Sequence, residues 1–115
     1  MTVDAEGVWS ASDVRAWARD KGIAVAERGR LPFQLVQVYL ARPDVVRRWA
    51  QRNGLTVGAR GRVPVDVVER YLCRPEAVRA WARDRRRSIG DRGRIPAEVT
   101  ADYFAQFGDL VRFAA

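Results

Sequence analysis

The chain has no histidine and only one cysteine, Cys73, among its 115 residues. Without histidine there is no imidazole base and no histidine metal ligand. A single thiol can form neither an internal disulfide nor a zinc knuckle, which fits a reducing cytoplasm. No apolar run approaches the roughly 20 residues of a membrane span, and the N-terminus lacks a signal-peptide pattern. Lysine is scarce too: of 21 basic residues, all but Lys21 are arginine. A GC-rich genome produces the same skew, so the positions of the arginines carry more meaning than their number. No carboxylate pair or activated nucleophile emerges. The expectation is a cytoplasmic protein with no enzymatic activity, cofactor, metal, membrane or small-molecule substrate.

What is present is a folded, basic chain. Hydrophobic residues make up 48%, which argues against disorder. With 14 acidic residues the net charge is +7 and the isoelectric point is near 10.9. That balance favours a polyanionic partner.

The dominant feature is an internal repeat of constant period. Trp17, Trp49 and Trp81 are 32 residues apart, as are Tyr39, Tyr71 and Tyr103, and Pro32, Pro64 and Pro96. Arg28-Gly29-Arg30, Arg60-Gly61-Arg62 and Arg92-Gly93-Arg94 keep the same interval. The reading is an N-terminal segment 1–11, units 12–43, 44–75 and 76–107, and a tail 108–115.

Each unit predicts a helix, an extended loop and a second helix, so the fold class is all-α. Val14, Trp17 and Ala18, with counterparts 32 and 64 residues on, have the i, i+3, i+4 spacing of one helical face. Ser10 with Asp13, or Ser12, suits the first cap and Asp44 the second. Gly22 and Gly54 suit left-handed helix ends; Arg86 stands at that position in the third unit and leaves its cap open. Ile23 and Val25, or Leu55 and Val57, would pin the loop to the core. Leu31, Val63 and Ile95 precede proline and favour extended backbone, and proline suits the first turn of the second helix. Asp66 and Glu98 then fall where the helix dipole favours acids. The tryptophans and tyrosines read as core, Cys73 as a small packing residue aligned with Ala41 and Ala105, and Trp9 as a cover for the first unit. Neighbouring units are expected to share a core, since 32 residues bury little alone. In the tail, Leu110, Phe113 and Ala114 continue the period, so Asp109–Ala114 reads as a half-repeat capping the last copy; a chain cut from a longer array fits equally.

The chemistry lies in the loops. Two guanidinium groups flank a residue without a side chain, so the backbone between them can lie flat on a surface. A minor groove about 6 Å wide admits such a strand but no helix, and at A·T pairs its floor offers only acceptors. A-tracts narrow it further and deepen its negative potential. The expected partner is AT-rich duplex DNA, held by Arg28, Gly29, Arg30, Arg60, Gly61, Arg62, Arg92, Gly93 and Arg94. Arg85, Arg86 and Arg87 are candidates for added phosphate contacts. The plainer alternative is a solvated turn in which arginines only maintain solubility.

In the third unit Ala80-Trp81-Ala82-Arg83, followed by Asp91-Arg92-Gly93-Arg94-Ile95-Pro96-Ala97-Glu98-Val99, resembles the C-terminal DNA-binding domain of the actinobacterial H-NS-like xenogeneic silencers, which are nucleoid-associated proteins. The resemblance covers residues 12–107, once per unit. It implies minor-groove insertion of the three Arg-Gly-Arg loops and a nucleoid or silencing role. That family pairs one such unit with an N-terminal oligomerisation domain, for which 1–11 offers no counterpart. A monomer with three linked sites is therefore expected. A protein-binding module similar to the peripheral subunit-binding domains is the rival reading. RNA ranks third, because A-form grooves match this loop poorly.

Overall fold

The computed structural model describes residues 9–90 and 92–114. Residues 1–8, Asp91 and Ala115 lie outside the described residues, and with them most of segment 1–11, the acid ahead of the third loop and the end of segment 108–115. The described residues form six α-helices and one 3₁₀ helix, with no strand among them. They run α1 (Ala11–Asp20), α2 (Phe33–Leu40), α3 (Pro43–Arg52), α4 (Val65–Leu72), α5 (Pro75–Asp84), α6 (Ala97–Ala105) and the 3₁₀ helix Gly108–Phe113.

The first helices start differently. Ser10 caps α1, its side chain accepting from the Asp13 N–H at 3.1 Å. Asp44 does not cap α3. Pro43 already occupies the first helical position, which moves the cap to extended Arg42 and leaves Asp44 in the first turn, 3.5 Å from Arg48. Pro32, Pro64 and Pro96 likewise sit one residue earlier than expected. They hold the cap positions in extended backbone, and their carbonyls accept the first bonds of α2, α4 and α6.

All three first helices end alike. Gly22 (φ 76°) and Gly54 (φ 73°) turn left-handed, and the next residue's N–H returns to Ala18 O at 2.8 Å or Ala50 O at 2.9 Å. Arg86 adopts φ 57° and supports the same closure, with Arg87 N–H on Ala82 O at 2.8 Å. The third cap is thus made without glycine. Arg87 replaces the apolar pin: it pairs with Asp102 at 2.7 Å and lies 5.7 Å from the Trp81 ring centre.

Val14, Val46 and Val78 are fully buried, as are Ala18, Ala50 and Ala82. Within each unit the tryptophan meets the tyrosine edge-on, with ring centres 5.6 Å apart in every copy. Trp9 packs on the Val14, Ala18 and Leu35 cluster, as expected for a cover. Cys73 is half-buried, and desolvation with the nearby Glu69 raises its thiol to about 11.

The second helices bring the units together. Tyr103 of α6 donates its hydroxyl to Leu72 O of α4 at 2.5 Å and packs its ring on Phe33 of α2 at 6.2 Å. Buried Gln34 of α2 donates to Tyr103 O at 3.3 Å, and Arg74 donates to Gln37 at 3.3 Å. The array therefore closes, with extents of 38 × 37 × 27 Å. The tail follows this closure. The 3₁₀ helix lies against α2 of the first unit, so it covers the start of the array rather than extending its end.

Candidate nucleic-acid interface

Between the helices of each pair, the Arg-Gly-Arg tripeptide is exposed at all nine positions. Gly29, Gly61 and Gly93 have φ of 92°, 81° and 84°, the left-handed region that other residues enter at a cost. A Cβ built on any of them would meet nothing within 4 Å. Glycine is thus required here by backbone conformation and not by crowding, and the space beside it opens outward.

A second arginine series holds the loops. Arg15 of α1 donates Nε to Ala26 O at 2.9 Å and Nη2 to Gly29 O at 2.7 Å. Arg47 of α3 donates Nε to Gly58 O at 3.0 Å and also bonds Gly61 O. Arg79 of α5 donates to Gly93 O at 2.6 Å, while its buried Nε has no partner. In each unit one of these bonds fixes the glycine carbonyl of the tripeptide, and every bond turns a loop acceptor inward, away from any anion. This series was absent from the sequence reading, although Arg15, Arg47 and Arg79 keep the 32-residue period. The period itself was the signal.

The loop arginines differ in freedom. Among the described residues, Arg28, Arg60, Arg62, Arg92 and Arg94 have no side-chain partner, whereas Arg30 pairs with Asp84 at the end of α5. Of the further candidates, Arg85 and Arg87 both approach the Trp81 ring, at 5.9 and 5.7 Å, and Arg86 is exposed. Arg87, half-buried and paired, belongs to the framework of the third unit.

Five guanidinium groups with no side-chain partner among the described residues, on three braced glycine turns, make a surface for polyanions. No group of His, Cys, Asp or Glu among the described residues could hold a metal ion. No helix among them is long and apolar enough to cross a membrane. Comparison with known proteins gives one family: the Lsr2 DNA-binding domain matches three times, over residues 10–41, 40–72 and 74–105. No curated protein and no solved structure matches the chain.

Proposed function

We propose that this DNA-binding chain, which belongs to the Lsr2 DNA-binding domain family over nearly its whole length, carries no enzymatic activity and inserts its three Arg-Gly-Arg loops into the minor groove of AT-rich duplex DNA. The observation that carries this reading is the threefold recurrence of one device: exposed arginines on either side of a left-handed glycine, held from behind by an arginine of the preceding helix. A braced strand of this kind is thin enough for the groove, and its arginines meet the acceptors of the A·T floor. The amino group of guanine occupies the same space at G·C pairs. Arg85 and Arg86 add phosphate contacts beside the third unit. The protein acts as a monomer in the cytoplasm, on the nucleoid, in a packaging or silencing role.

The closed shape limits the site. At about 3.4 Å per base pair, the 38 Å extent covers about 11 base pairs. If six loop arginines each neutralise one phosphate, the log–log salt slope approaches about −5. Three linked sites that engage together gain about 10²–10⁴ in affinity over one.

Fluorescence anisotropy with AT-rich and GC-rich duplexes of equal length, across salt concentrations, tests the reading. Tighter AT binding that a minor-groove drug displaces is expected. Equal binding with a steep salt slope would reduce the interaction to phosphate attraction, and no binding near physiological salt would remove the reading.

A further inference from the structure

We infer that the first loop and the C-terminal end of α5 form one composite surface for DNA phosphates, with Asp84 as the counter-charge inside it; this rests on the loop reading above. The first loop and α5 are far apart in sequence, yet Arg30 reaches Asp84 across 54 residues. The pair leaves the Arg30 side chain 81% exposed, so Asp84 holds one donor without covering the guanidinium. Immediately after Asp84 come Arg85 and Arg86, and immediately before it the exposed Arg83. The contact therefore joins Arg28 and Arg30 of one unit to the arginine run of another.

Basic residues complement the dipole at a helix C-terminus, which accounts for Arg83 and Arg85. It does not account for Arg86. The other two units place glycine there, and a non-glycine residue at φ 57° is strained. Its side chain is exposed and has no partner among the described residues. An anion approaching the first loop meets Arg86 from the neighbouring unit and competes with Asp84 for Arg30. The first and third units thereby read a single stretch of duplex; in the second unit Arg52 stands in the position of Asp84, so this counter-charge belongs to the third unit.

The test uses the full chain and an AT-rich duplex in fluorescence anisotropy, with thermal unfolding alongside. Arg86→Gly should raise the unfolding midpoint, yet weaken binding several-fold and flatten the log–log salt slope by about 0.9, the share of one phosphate. Asp84→Asn should tighten binding several-fold, and the gain should vanish in an Arg30→Gln background. If Arg86→Gly leaves affinity and slope unchanged, or if the Asp84→Asn gain persists without Arg30, the composite surface is overturned. Undiminished affinity after Arg60→Gln with Arg62→Gln, or no DNA binding by the unaltered protein, would instead overturn the underlying loop reading.

Discussion

In the second unit Gly54 ends α3 and Leu55 pins the loop that follows, while in the third unit Arg86 and Arg87 take those places on an equivalent backbone. The closing bonds are equally good in both, at 2.9 Å to Ala50 O and 2.8 Å to Ala82 O. The difference appears one step later. Arg47 donates to two loop carbonyls, Arg79 to one, and the spare Nε of Arg79 is buried without a partner. Where a charged anchor replaces the apolar one, the turn stays intact and the helix arginine holds the loop by one bond in place of two. The third unit also ties the shared core together, since its buried tyrosine contacts both other units; Tyr71 is buried as fully, whereas Tyr39 of the first unit is half-buried.

The largest expected effect lies at the tyrosines, where the third unit is set against the first. Tyr103→Ala should cost about 3–5 kcal/mol, as for other large buried aromatics, and Tyr39→Ala clearly less; equal losses in chemical denaturation would abolish the distinction. At the braces, Arg47→Gln removes two donors from one loop and should destabilise by about 1–2 kcal/mol, with a larger loss of DNA affinity than Arg79→Gln. If Arg79→Gln is the more damaging, the third loop is the better-held one. At the helix ends, Gly54→Ala should destabilise by about 1 kcal/mol because alanine resists the left-handed region, while Arg86→Gly moves the unfolding midpoint upward. The smallest effect lies at Cys73, between these units. Its folded pKa is raised from 9.0 to about 11, so its contribution to stability is complete below pH 9 and declines as pH rises through 11. Cys73→Ala should remove that part of the alkaline decline in a pH series of thermal midpoints.

Much of this arrangement is legible in the residues. The 32-residue period, the helical spacing of valine, tryptophan and alanine, and the glycine and proline positions place the six helices, because each signal is local. The loops are legible for the same reason. The closure of the array is not. Gln34, Asp66 and Glu98 share one repeat position, and only the packing of α2 on α6 explains why the first is neutral and buried while the others are acids in an exposed first turn. The Arg30–Asp84 pair depends on that same closure. The tail follows the repeat in sequence but not in space, since its 3₁₀ helix packs on α2 of the first unit. The bracing arginines are hard to read for a different reason: among 21 basic residues only the period distinguishes these three, and their role lies in hydrogen bonds that the fold creates.

The braces also change when the entropy of order is lost. A free Arg-Gly-Arg segment in a flexible tail must surrender about 1–2 kcal/mol of backbone freedom per residue on binding. Here each glycine carbonyl is tied to its own helix before any DNA arrives, so that loss belongs to folding and not to association. Such a loop keeps more of its gross contact energy as affinity. It also makes recognition hostage to stability, because warming that frays α1, α3 or α5 would free the loop and return the lost entropy to the binding step.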